Sequence, residues 1–387
     1  MTKHKYPVWV EISKSALLNN IIQIKNNVRK SVPNLKVCGV VKSNAYGHGM
    51  SLVAGVIADE VDWFAVNALW EAIQLVKETG TQKPIVVLGY TPVSALPDLI
   101  EYPNIRIIVY NIQTLAALKK LVLKYKRGFK VHIKIETGTG RQGITEKQLP
   151  KFISFFKENP DIILEGMSTH YANIEDTTTH DYYEFQLANY KKFIKVLKEN
   201  GFNPPIKHTA CTAACFLFPK TYFSLARPGI GLYGLWPSKE TRLSCLLQGR
   251  ETLNLIPALT FKTRIAQIKT LPANCYIGYG CSYKTTHWTR VAVIPVGYFD
   301  GYDRQLSNQA YVIIKNKRAP LIGRICMNIC MVDITHINNA RLDDEVILIG
   351  KSKSEAITAD TIAGMSGTIN YEIVTRINPS LPRIIVE

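Results

Sequence analysis

Short apolar, β-branched runs alternate with stretches of helical periodicity through the first two thirds of the chain. Strand-sized runs fall at 35–41, 62–67, 84–88, 106–110, 130–136, 163–169, 206–210 and 223–226. Amphipathic patterns lie between them, among them 111–125 and 181–200. Ahead of the first run, 14–28 sets Leu17, Leu18, Ile21, Ile22 and Ile24 mostly on one stripe. Each parallel pairing needs a crossover helix, so eight such units in about 240 residues predict a TIM-like (β/α)8 barrel.

The rhythm changes after Gly234. From about residue 258 the pattern is strand-like with turns and few helices, in runs at 261–268, 290–296, 310–315, 319–326 and 345–349. Pro257, Pro272 and Pro295 interrupt them. The expected organisation is an α/β barrel domain over 1–250 and a β-rich C-terminal domain over 251–387.

Composition changes this picture little. The 387 residues are 47% hydrophobic and 20% charged, which is globular. The start of the chain is polar and no stretch reaches transmembrane length, so the reading is a cytoplasmic protein with no membrane partner. Eight cysteines are too few for a disulfide framework. The spacings Cys211/Cys215 and Cys326/Cys330 lack a partnering Cys-x-x-Cys pair, so buried thiols and no metal site are expected. A net charge of +17 raises nucleic acid as a ligand. The lysines are scattered over polar helix faces, however, and read as a solvated basic surface.

A barrel carries its active site at the C-terminal ends of its strands. Lys42 closes the first run inside Val40-Val-Lys-Ser-Asn-Ala-Tyr-Gly-His-Gly49. An amine there is costly to desolvate, which lowers its pKa and suits imine chemistry; a lysine that snorkels to the rim is the plainer reading. The fifth run leads into Lys134-Ile-Glu-Thr-Gly-Thr-Gly-Arg141, whose arginine could clamp a carboxylate. His170 follows the sixth run. Thr209-Ala-Cys-Thr-Ala-Ala214 follows the seventh, and Arg227-Pro-Gly-Ile-Gly231 the eighth, where barrels often bind phosphate. One rim thus collects an amine, two arginines and a phosphate cradle, the donor set for a phosphorylated carbonyl cofactor.

These motifs closely resemble the alanine racemase family, of the pyridoxal-phosphate-dependent fold-type III enzymes. The resemblance rests on Val41–Gly49, on Gly278-Tyr-Gly280, on Ile294-Pro-Val-Gly-Tyr-Phe-Asp-Gly301 and on Gly323-Arg-Ile-Cys-Met-Asn328. It spans 8–383, nearly the whole chain. It implies pyridoxal 5′-phosphate held by Lys42 as a Schiff base, and an isomerase that interconverts L- and D-alanine for peptidoglycan. Lys42 and Tyr279 would be the two opposed acid/base groups. Tyr279 would reach the partner subunit's site in a homodimer. Arg227 would bond the pyridine nitrogen, and with His170 support the tyrosine. Tyr46, Thr212, Gly229, Ile230 and Tyr371 map to the phosphate shell. Arg141 and Met327 map to the substrate carboxylate, Tyr298 to the substrate entrance, and Lys134 to a lysine often carbamylated in the family.

Five positions depart from the family pattern. Glu136 stands where aspartate is common, Thr139 where methionine is, and Cys211-Thr212 for Asn-Ser. Asn328 stands where aspartate usually follows the methionine, a variant resembling racemases of broader substrate range. Two alternatives are therefore carried forward: a broad-specificity amino-acid racemase, and a non-catalytic pyridoxal-phosphate carrier. A carrier would lack the second domain and its Tyr279. A related decarboxylase would need an acidic partner for the pyridine nitrogen where Arg227 stands.

Overall fold

The computed structural model describes residues 5–250 and 252–387; Met1–His4, at the polar start of the chain, and Glu251 lie outside the described residues. It divides into two compact units. One comprises Leu17–Ser43 and Val53–Ile256; the other comprises Asn44–Leu52, Pro257–Glu387 and the N-terminal segment up to Ala16.

All eight expected barrel strands form, as Lys36–Val40, Trp63–Val66, Ile85–Val87, Ile105–Val109, Phe129–Lys134, Ile162–Ser168, Ile206–His208 and Leu225–Ala226. Sequential neighbours pair in parallel from the first to the seventh, and the eighth pairs with the first through Lys36↔Leu225 and Val37↔Ala226. The remaining seam, between strands seven and eight, is stitched by Ser224 N–H to Lys207 O (3.1 Å) and by Lys207 N–H to Ser224 Oγ (2.7 Å). The sheet is a nearly closed barrel, as the alternating pattern required.

Helix Lys14–Ser31 buries Leu17, Ile21, Ile24 and Val28, spaced four, three and four residues apart. Ile22, read from sequence as part of that stripe, is exposed. Buried Asn20 shares the inner face instead, donating to Leu232 O and Ile256 O and accepting from Ile256 N–H. Helix Ile112–Tyr125 starts where the Asn111 side chain accepts the Thr114 N–H, and the chain leaves it at Lys126 in the left-handed conformation.

In the second unit, strand Val8–Ser13 runs between Leu259–Arg264, antiparallel, and Arg383–Val386, parallel. The expected strand 261–268 is two strands. Leu259–Arg264 pairs with Glu345–Lys351 and Gln267–Leu271 with Thr289–Ile294, because the chain changes sheets at Ile265–Ala266. The expected strand 319–326 also fails beyond Lys317–Pro320. Gly323 turns there at φ 77°, with room for no side chain, since a Cβ would lie 2.7 Å from Ile277 O. Cys330–Asp333 takes the sheet position instead. No helix of the described residues is long and apolar enough to cross a membrane.

Candidate active site

The first barrel strand ends at Val40, two residues before Lys42, rather than at the lysine itself. Ser43, Asn44, Ala45 and Tyr46 then all adopt left-handed backbone, with φ between 52° and 55°. Four successive non-glycine residues in this region cost about 1–2 kcal/mol each, so other bonds must hold them. Buried Glu71 accepts the Ser43 N–H on Oε1 at 2.6 Å, and on Oε2 the Asn67 and Ala68 N–H groups at 2.7 and 3.0 Å. Asn44 Oδ1 accepts the Met50 N–H, and Asn44 O the Gly49 N–H, both at 2.9 Å.

The barrel unit gathers Lys42, Lys134, Arg141, His170 and Arg227 within electrostatic reach of one another. Burial lowers the Lys42 pKa, the positive charge of Arg141 lowers it further, and Glu71 opposes both. Lys134 ends the fifth strand, buried; desolvation, Arg227 and Arg141 push its pKa well below the usual lysine range. His170 is driven the same way by burial and by Lys134 and Arg227, which keeps its imidazole neutral. Arg227 follows the eighth strand and is 6% exposed. Its Nη1 lies 2.7 Å from His208 Nδ1, and its Nη2 donates to Thr169 O and Thr209 O at 3.0 and 3.2 Å.

The loop carrying Arg141 is wound around Glu136, whose carboxylate accepts the Gly138 and Thr139 N–H groups at 2.6 Å and that of Arg141 at 3.2 Å. Those bonds outweigh burial and hold the Glu136 pKa down. The Thr139 hydroxyl donates to His170 O at 2.5 Å, so this departure from the family pattern ties two rim loops together. Gln186, fully buried on helix Asp181–Glu199, completes the tie. Its amide nitrogen is 3.2 Å from Thr137 Oγ1, Thr139 Oγ1 and His170 O, while its oxygen accepts the Ala172 N–H. Sequence reasoning missed Gln186 and Glu71. Glu71 had a signal, an acid in the first turn of a helix; Gln186 had none.

Thr212 Oγ1 accepts the N–H groups of Gly229 (2.9 Å) and Gly231 (3.4 Å), joining the turns after strands seven and eight. Ile230 lies between them, fully buried, and a Cβ on Gly231 would come 2.7 Å from Thr212 Cγ2. The chemistry of these donors fits a phosphorylated carbonyl cofactor: an amine of lowered pKa, a buried guanidinium that can only donate, and a tight hydroxyl and N–H turn.

The second unit holds the other predicted residues. The rings of Tyr46 and Tyr371 are 6.1 Å apart. Tyr279 is 73% exposed and, with Tyr298, Met327, Asn328 and Arg324, lines an open cleft of about 990 Å³. Asn328 Nδ2 lies 3.5 Å from Asp300 Oδ2, whose carboxylate also accepts the Gly297 N–H. Gly278 (φ 71°) and Gly280 (φ 70°) flank Tyr279, and a Cβ on Gly280 would lie 2.6 Å from the Arg324 guanidinium.

Comparison with known proteins identifies the family and the fold. Residues 12–237 match the family described as alanine racemase, N-terminal domain, and 258–385 that described as alanine racemase, C-terminal domain. A protein named alanine racemase from Leptospira interrogans is 39% identical, over 100% of this chain and 97% of its own length. One from Methanococcus maripaludis is 37% identical over 98% of both. Among solved structures, alanine racemase of Clostridium difficile in complex with cycloserine has a TM-score of 0.89 at 35% identity, covering 100% of this chain and 97% of that one. Alanine racemase of Bacillus anthracis with bound L-Ala-P has a TM-score of 0.90 at 32% identity, covering 99% and 96%.

Proposed function

The chain belongs to the alanine racemase family, and from that premise we propose that it interconverts L- and D-alanine with pyridoxal 5′-phosphate held by Lys42. The observation that carries the reading is the rim cluster of Lys42, Arg141, His170 and Arg227, with the Lys42 amine made less basic by burial and by Arg141.

The bound cofactor supplies an electron sink that acidifies the substrate Cα–H. Inversion then needs a proton acceptor on one face of Cα and a donor on the other. Lys42 Nζ takes one face; its lowered pKa favours the neutral amine that can accept a proton. Tyr279 Oη of the partner subunit takes the other. Its high exposure and its place on an open cleft support a homodimer in which each subunit completes the other's site. Arg141 would hold the substrate carboxylate. Arg227 would donate to the ring nitrogen and leave it unprotonated, which would limit the sink and suit proton return over loss of carbon dioxide. Thr212, Gly229 and Ile230 would hold the phosphate. Lys134, buried among arginines, has the lowered pKa that carbamylation requires, and a carbamate would offset the local positive charge. The product D-alanine would serve peptidoglycan synthesis in the cytoplasm.

The test is incubation of the purified protein with single L-amino acids in deuterated water. L-alanine is expected to racemise and gain deuterium at Cα. Lys42→Ala should abolish both racemisation and the visible absorbance of the bound cofactor. Tyr279→Phe should keep the absorbance and lose most turnover. Equal turnover of lysine, arginine or serine would instead assign a broad-specificity racemase. Bound cofactor without Cα exchange on any amino acid would make the protein a carrier.

A further inference from the structure

A line of buried polar groups crosses the barrel unit from Arg227 to the carboxylate of Glu165, and the chemistry above uses only its first member. Arg227 Nη1 is 2.7 Å from His208 Nδ1, His208 Nε2 is 2.9 Å from His132 Nδ1, and His132 Nε2 is 3.5 Å from Glu165 Oε2. Both histidines are fully buried. Glu165 is held in turn by Arg106 Nε at 2.8 Å and Lys130 Nζ at 3.2 Å.

The direction of this relay is fixed by Arg227. A guanidinium can only donate, so His208 Nδ1 must accept and its proton sits on Nε2. His132 Nδ1 must accept that proton's bond, which leaves the His132 proton on Nε2, facing a carboxylate that can only accept. Two neutral rings of one tautomer are thus imposed from the Arg227 end, and the Glu165 carboxylate, 3.5 Å from His132 Nε2, is compatible with that protonation. Burial keeps both rings from charging. Burial also works against the Glu165 carboxylate, but His132 and Arg106 outweigh it and hold its pKa far below the usual range.

The backbone is shaped to admit the relay. The ladder between strands five and six slips between Val131↔Leu164 and His132↔Gly166, leaving Glu165 as the unpaired residue of a bulge. A bulge re-aims a side chain. Gly166 makes the room, since a Cβ there would lie 2.4 Å from His132 Cγ and Cδ2. An apolar core at these positions would avoid the cost of burying two rings and an acid.

We propose that Glu165 and His132 are positioning residues for Arg227: through His208 they fix the rotation of its guanidinium and hence which N–H it presents to the cofactor ring. The relay commits one Nη1 donor, the Thr169 and Thr209 carbonyls commit Nη2, and two of the five N–H groups remain for the site. The link to the ring rests on the function proposed above; the tautomers do not.

The experiment is ¹⁵N NMR of histidine-labelled holoenzyme near neutral pH, paired with kinetics of His132→Phe and His132→Asn. His132 and His208 are expected as neutral Nε2–H tautomers. His132→Phe should leave the His208 Nε2–H without its acceptor and shift its ¹⁵N resonance while the tautomer stays, lower kcat about tenfold with little change in KM, and shift the pH profile of cofactor absorbance. His132→Asn, whose amide oxygen can stand in for Nδ1, should recover most of the loss, although phenylalanine is closer in volume. A wild-type His208 protonated on Nδ1 or on both nitrogens overturns the relay, whatever the activity. A folded His132→Phe enzyme with parental kcat and absorbance profile overturns the positioning role. Wild-type protein without racemase activity would sink the proposed function and leave the tautomer measurement to decide the relay.

Discussion

The backbone N–H of Ser43 lies 2.6 Å from Glu71 Oε1, so a buried carboxylate grips the residue next to Lys42. Its other oxygen accepts the Asn67 and Ala68 N–H groups. The same carboxylate supports the Lys42 charge through space. One acid therefore bears on both the position of the amine and its basicity, which burial and Arg141 lower.

Glu71→Gln keeps one acceptor oxygen and turns a donor toward N–H groups that need an acceptor. Stability should fall by about 1–3 kcal/mol in urea denaturation. Loss of the negative charge should lower the Lys42 pKa further, moving the acid limb of cofactor attachment to lower pH. A stable variant with an unmoved limb would contradict this account.

Gln186→Leu removes the tie among Thr137, Thr139 and His170 and leaves buried acceptors and the Ala172 N–H without it. A loss of about 1–3 kcal/mol is expected. KM for alanine should rise, because the Arg141 loop loses its anchor. Steady-state kinetics at a temperature well below the variant's midpoint separates the two effects.

His48 is fully buried, with Nδ1 3.0–3.1 Å from Tyr46 O and Ala45 O. Burial outweighs those bonds and, with Arg383, lowers its pKa from 6.5 to about 4. Between these values the unfolded chain binds the extra proton, so this contribution is complete above 6.5 and is lost as pH falls toward 4. The full span is worth about 3 kcal/mol. His48→Gln should flatten the acid limb of the stability curve; equal slopes in both proteins would refute the assignment.

Gly47 sits at φ 85°, and a Cβ there would lie 1.9 Å from Val374 O. Gly47→Ala should destabilise by several kcal/mol, since both the conformation and the space exclude it. Wild-type yield and denaturation midpoint would show that the backbone can move aside.

Much of this was legible in the chain. Eight strand-sized runs separated by helical stretches leave a parallel barrel as the economical way to bury them, and all eight formed. Lys42, Arg141, His170 and Arg227 were legible because each follows a strand at one rim. Other positions misled: Ile22 looks like part of the buried stripe, yet buried Asn20 shares that face through bonds to residues more than 200 positions away.

What the sequence determined by itself was periodicity and order: which segments are strands, and which polar residues follow them. Those are local properties, set by side-chain alternation and spacing. Only the tertiary structure decided that Ser43–Tyr46 turn left-handed without a glycine, because the bonds that hold such a turn include one from Glu71, far along the chain. Likewise the bulge at Glu165 has no local signature. There Gly166 leaves space for the His132 ring and Glu165 brings its carboxylate to 3.5 Å from His132 Nε2, relations that arise only when neighbouring strands lie side by side.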